Sequence, residues 1–284
     1  MTKVLVPFDF SEQAQNALDF STGLAEKFDN VLVEVLHVIE IPVSSGYGGS
    51  MGGGEMMPEV ESQIFFIELM KRRKEQMAEL EAEYAGRKFE FITKIKLGNA
   101  YKNISESIIE ESPDLVVMGS KGIGGLEEIV VGSNTEKVVR HAQCPVLTIK
   151  GKSDPNSFKK IVFASDFKEG DSEVAARVKR LQNLFEAELY FVVVNTPGNF
   201  ESTRDSINRI KTFVKTYGFE NVKAEIYNSA SEESGIIEFA DDINADLIAM
   251  ATHGRTGFIH LITGSIAEDV VNHSSRPVWT FKAK

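Results

Sequence analysis

A single cysteine, Cys144, in 284 residues leaves this chain without an intrachain disulfide and without a cysteine-built zinc cage. Long apolar runs are missing as well. None approaches the roughly 18 residues of a spanning helix, and the opening MTKVLVPFDFSEQ puts an acid and a proline where a secretory leader needs apolar residues. The expected compartment is therefore the cytoplasm, with no membrane partner. There is no excess of basic charge: 31 Lys and Arg stand against 42 Asp and Glu, a net of −11. That balance opposes sequence-independent attraction to nucleic acid or anionic lipid. Several catalytic signatures are also absent, among them the G-x-x-x-x-G-K-[ST] phosphate loop, a G-x-G-x-x-G after the first apolar run, and the G-x-S-x-G elbow of acyl transfer. The five histidines His37, His141, His253, His260 and His273 contain no i,i+4 pair, so no metal site is expected.

What the chain does have is an internal repeat. KVLVPFDFSE (3–12) is answered by KIVFASDFKE (160–169), SPDLVVMGSKG (112–122) by NADLIAMATHG (244–254), and VGSNTEKVVRHAQCPVLTIK (131–150) by TGSIAEDVVNHSSRPVWTFK (263–282). The first pair is offset by 157 positions and the later ones by 132, so the first half carries 25 additional residues between them. The glycine-rich SSGYGGSMGGGEMMP, within 41–61, is the natural place for most of them and reads as a loop. At roughly 150 residues per domain, the organisation expected is one domain over 1–150, a GKSDPNS linker over 151–157, and a second domain over 158–284.

Short apolar runs alternate with helical stripes in both halves, which is the α/β pattern. Val4 to Val6, Val31 to Val38, Leu115 to Met118 and Val146 to Ile149 read as buried strands, and Phe89 to Leu97 as an alternating edge strand. Between them run helical stripes at Ala14, Ala17, Leu18 and Leu24, from Ile64 toward Tyr84, and at Ile104 and Ile108. The second half repeats the order, with stripes at Val174, Val178, Leu181, Phe185 and at Ile207, Ile210, Val214, Tyr217. Two doubly wound, mainly parallel five-stranded sheets are expected. Ligands of such sheets bind beyond the carboxyl ends of the strands, where strand order reverses.

Asp9 follows the first strand, and GSKGIGGLEEIVVGS (119–133) leaves the fourth strand for a helix. Glycines there permit close backbone approach, and the helix start offers unpaired N–H groups to a phosphate. A purely structural reading is also open. Ser133 with Glu136, and Ser265 with Glu268, have capping-box spacing, and Asp9 is suited to hold a turn.

These residues resemble the universal stress protein family in its tandem form. The likeness rests on VPFDFSEQAQNAL, on LHV at 36–38, and on G-x2-G-x9-G-[ST], matched by Gly119, Gly122, Gly132 and Ser133. The resemblance implies a fold like that of the adenine nucleotide alpha hydrolases and a site for ATP, or for AMP or ADP, with Mg2+ brought only by the phosphates. It places Asp9 and the backbone of Val38 and Met118 at the base, and Gly119, Gly122, Gly132, Ser133 and Asn134 at ribose and phosphates. It also implies pairing of the two halves through PVLTIK (145–150) and PVWTFK (277–282), and leaves a homodimer of the whole chain open. A weaker second site is expected at Asp166, Met250, Gly254, Gly264 and Ser265. There Ala251 replaces Gly119, Ala230 stands for Gly98, and Asn195 follows a strand without LHV. No general base, arginine finger or metal-binding carboxylate pair is evident beside the loop, and no motif assigns that part to Lys121 or Glu127. The functional expectation is a nucleotide-dependent regulator or scaffold with slow hydrolysis at most; the alternatives are a slow ATPase or phosphoryl- or adenylyl-transferring enzyme, and a scaffold that has lost nucleotide.

Overall fold

In a computed structural model the chain is described over residues 2–40, 59–120, 132–167, 172–251 and 265–282. The first half runs β1 (Thr2–Pro7), α1 (Glu12–Ala25), β2 (Val31–Ile39), α2 (Glu59–Glu83), β3 (Glu90–Leu97), α3 (Ala100–Glu111), β4 (Leu115–Gly119), α4 (Ser133–His141) and β5 (Val146–Ile149). The second repeats it as β6 (Lys160–Ala164), α5 (Ser172–Phe185), β7 (Glu188–Asn195), α6 (Thr203–Tyr217), β8 (Val222–Asn228), α7 (Glu232–Asp242), β9 (Leu247–Ala251), α8 (Ser265–His273) and β10 (Val278–Phe281). The long α2 starts before Ile64, where its apolar stripe first becomes visible in the sequence.

Instead of two five-stranded sheets there is one of ten strands, ordered β3-β2-β1-β4-β5-β10-β9-β6-β7-β8. Each half is parallel and doubly wound, and the halves join where β5 and β10 pair antiparallel, Leu147 opposite Trp279. The physical reason is the edge. A four-residue apolar strand left unpaired would bury its side chains while exposing its backbone donors, and pairing with its repeat satisfies both. Thr148 adds a bond from its Oγ1 to the Val278 carbonyl, 3.1 Å away. Strand residues alternate between two layers. Val4, Val6, Leu147, Trp279 and Phe281 pack with α1 and α5, whereas Leu5, Val116, Val146 and Val278 pack on the opposite face with α3, α4, α7 and α8.

Residues 151–157 do more than connect the halves: they form a turn anchored on α1 by the buried Pro155. Asp154 organises a turn through the Asn156 and Ser157 amides, Pro155 seats against Gly23 of α1, and the Phe158 ring stands 5.2 Å from Phe20 and 5.0 Å from Phe185. One aromatic cluster thus joins both halves.

Candidate functional site

Strand order reverses between β1 and β4, so the crevice opens above Pro7 and Gly119. The chain leaves β1 through Phe10, held in the left-handed region at φ 66°. Asp9 closes this turn, its Oδ1 accepting from the Ser11 amide at 3.0 Å, and Ser11 in turn caps α1 by accepting from the Ala14 amide. The turn reading of Asp9 therefore holds, and its carboxylate remains exposed at the crevice mouth. The strained Phe10 is wedged edge-on against Phe8 and His37, each 4.9 Å away, with the Arg73 guanidinium 4.4 Å over its ring.

His37, the middle residue of LHV, is buried and its Nδ1 lies 2.7 Å from the Phe8 carbonyl oxygen. A neutral ring with the proton on Nδ1 donates that bond. Burial keeps the imidazole pKa below its ordinary value, the Phe8 carbonyl opposes this, and Arg73 lowers it further. His37 and Arg73 are thus positioning groups for the Asp9 turn that motif reading did not single out. The signal available for His37 was its place inside LHV; Arg73 has no local signal, because it comes from a helix about 35 residues further along the chain.

Gly119 is required by space. A Cβ built on it would lie 2.1 Å from the Gln13 carbonyl oxygen and 2.8 Å from the Ala14 amide nitrogen. The first turn of α1 rides directly over the end of β4. Gly119 is not among the residues with positive φ, whereas Gly98 is, at φ 115°, where its amide reaches the Ile39 carbonyl at 3.0 Å.

The start of α4 differs from the capping-box expectation. Gly132, not Ser133, is the N-cap, no side chain caps the helix, and Ser133 is already its first residue. Among the described residues the orphan amides of the first turn have no side-chain acceptor. Thr135 ties this turn to the crevice, its Oγ1 donating to the Gly119 carbonyl at 3.3 Å. Asn134 sits half-buried beside it, Met118 is buried in β4, and Val38 is partly buried in β2. Gly122 lies outside the described residues.

The corresponding crevice of the second half is differently made. Asp166 is buried where Asp9 is exposed, and Phe167, again left-handed at φ 53°, turns its ring into a cluster with Phe163, Phe191 and Phe213. Hydrogen bonding corrects the sequence match at the turn after β8. Ser229, not Ala230, makes the Gly98-type bond, to the Asn195 carbonyl at 3.0 Å, and neither residue is left-handed. Asn195 is the last residue of β7, and its side-chain amide donates to the Glu201 carbonyl. Met250 is buried at the end of β9 and Ala251 half-buried. Glu268 is drawn to Arg140 of α4, Oε1 to Nε 2.6 Å, across the junction of the halves. Ser265 begins α8, but its side chain, like Gly254 and Gly264, lies outside the described residues. Among the described residues there is no cluster of metal-binding side chains and no helix long and apolar enough to cross a membrane.

A model of the universal stress protein family matches residues 1–150 and again 157–282. The universal stress protein MJ0577 of Methanocaldococcus jannaschii is 31% identical over 158 residues, which is 53% of this chain and 96% of that protein. The crystal structure of a universal stress protein from Archaeoglobus fulgidus superposes with TM-score 0.73 at 23% identity, covering 99% of this chain and 98% of its own. A universal stress protein crystallised in complex with cAMP aligns over 44% of this chain and 96% of its own, at TM-score 0.35 and 16% identity. That complex speaks for the protein it contains.

Proposed function

This chain belongs to the universal stress protein family, whose model it matches twice, and from that premise we propose that it is a stress-response protein regulated by ATP, or another adenine nucleotide, in the β1/β4 crevice of its first half. In this reading 1–150 and 158–284 are its two domains, joined by 151–157, and it works in the cytoplasm. The observation that carries the reading is the start of α4: its N-cap is Gly132, which has no side chain to cap the first-turn amides, and none of the described residues supplies one in its place. A helix start in that state favours a phosphate through its amides and its dipole.

Gly119, Gly122, Gly132, Ser133 and Asn134 would hold ribose and phosphates, while Asp9 and the backbone of Val38 and Met118 would meet the base. Mg2+ would arrive with the phosphates. A nucleotide there acts by occupancy, since Asp9 is already engaged with the Ser11 amide and orients rather than reacts. Asp166, Met250, Gly254, Gly264 and Ser265 would form a weaker second site.

Gly132→Val is the test. A Cβ at Gly132 meets none of the described residues within 4 Å, so the fold should survive, while a branched side chain in front of the α4 amides should abolish ATP binding measured by calorimetry. Undiminished ATP binding in a folded Gly132→Val protein would remove this crevice from the mechanism.

A further inference from the structure

The halves are related by a local two-fold axis at the Leu147–Trp279 pair, and besides the crevices the relation breaks at the opposite ends of the strands. Where the strands of the second half begin, the space beside α1 is filled by three groups. Pro155 lies against Gly23, the Phe158 ring sits tilted between Phe20 and Phe185, and the Arg276 guanidinium reaches the Ala245 carbonyl at 2.6 Å and pairs with Asp241. The repeat offsets put Arg180 in place of Gly23, Arg177 in place of Phe20, and Cys144 in place of Arg276. A cavity of about 800 Å³ lies where the strands of the first half begin, walled by Leu115, Leu181, Leu184 and Trp279 and bordered by Cys144, Arg177 and Arg180.

This volume is within the range of small-molecule sites, and its chemistry is the inverse of its filled counterpart. There, a cation and two apolar rings enter from the chain; here, the walls themselves supply the cations. Arg177 is shared with Glu173 at 3.0 Å, but Arg180 makes no ion pair among the described residues. The acids at the rim are engaged elsewhere: Asp29 holds Lys88 at 2.9 Å, and Asp114 accepts from the Lys3 amide at 2.9 Å. Burial pushes the Cys144 thiol up to about 12, so it is a neutral part of the wall and not a nucleophile.

We infer that this cavity is a second ligand site, at the opposite end of the first half's strands from the β1/β4 crevice, for a small amphipathic carboxylate. Its apolar body lies against Leu181, Leu184 and Trp279, and its carboxylate meets Arg180, with Arg177 behind it.

Trp279 is the only tryptophan in the chain, which makes it a built-in reporter. Titration with decanoate, below its micellar concentration, should change Trp279 emission saturably. Decanol should bind at least about tenfold more weakly, as a charge-assisted hydrogen bond is lost. Arg180 is exposed, so Arg180→Glu should fold normally by circular dichroism; it should weaken decanoate about tenfold or more while leaving decanol unchanged. Arg180→Gln should fall between. A silent Trp279, decanol binding as tightly as decanoate, or equal decanoate affinity in the wild type and Arg180→Glu would each overturn the inference.

Discussion

Replacing Gly119 by alanine asks whether the crevice is built by sterics. The added Cβ would lie 2.1 Å from the Gln13 carbonyl oxygen, 2.2 Å from its carbon and 2.8 Å from the Ala14 nitrogen, distances that a real Cβ does not tolerate below 3.0 Å. The first turn of α1 would have to withdraw by about 1 Å, and because the obstructing atoms are backbone, no side-chain rotation relieves them. Overpacking costs ~1–3 kcal/mol, and the upper end applies here. With a urea m-value of ~3 kcal/mol/M, the unfolding midpoint should fall by ~1 M. Equilibrium urea denaturation followed by Trp279 fluorescence and circular dichroism measures this. ATP affinity should fall in the same variant, because the displaced turn carries Ser11 and, through its amide, the orientation of Asp9. The reciprocal Ala251→Gly should change stability by no more than ~1 kcal/mol, the backbone-entropy cost of glycine. A Gly119→Ala midpoint indistinguishable from the wild type would refute this account of the glycine.

Three further outcomes follow from the same structure. Titration of nucleotide-stripped protein with ATP should give close to one tight site per chain, since the Asp9 counterpart is buried and Phe167 faces the core; two equal tight sites would contradict it. Phe158→Ala should lower stability by ~3–5 kcal/mol by emptying the space between Phe20 and Phe185, and a thermal shift of only a degree or two would speak against the aromatic junction. Glu111 concerns acid stability. Burial raises its pKa, but hydrogen bonds with Glu34, Lys3 and Lys94 outweigh this and hold it at about 2. A depressed folded pKa gives stability that is full above the ordinary value of 4.5 and lost as pH falls toward 2. Glu111→Gln should therefore flatten the stability profile between pH 4.5 and 2, and an unchanged slope would exclude the network as its source.

The starting symmetry of the fold was readable from local chemistry. Strand and helix periods repeat under fixed offsets, and each apolar stripe specifies its own buried face without reference to the rest of the chain. The Asp9 turn and the glycine at the end of β4 were legible in the same way, as residue types that few other local structures require. Conformations set by distant neighbours were not. Ser133 has the spacing of a capping residue, yet Gly132 takes that role, and Thr135 in the first turn docks on the Gly119 carbonyl of a strand far back in the chain. Ala230 aligns with Gly98 by count, but Ser229 takes its bond, since β-ladder register fixes which amide meets the preceding strand.

By itself, then, the sequence determined two copies of a doubly wound α/β unit and the place of the crevice in each, because these follow from periodicity and strand order. Only the tertiary structure decided that the copies share one ten-stranded sheet, that Gly119 answers to the backbone of α1, and that Pro155 and Phe158 fill the groove beside α1. Those features depend on which surfaces meet. Meeting is settled by pairing of edges, by volume and by charge between residues far apart in the chain, such as Leu147 with Trp279 and Gly23 with Pro155.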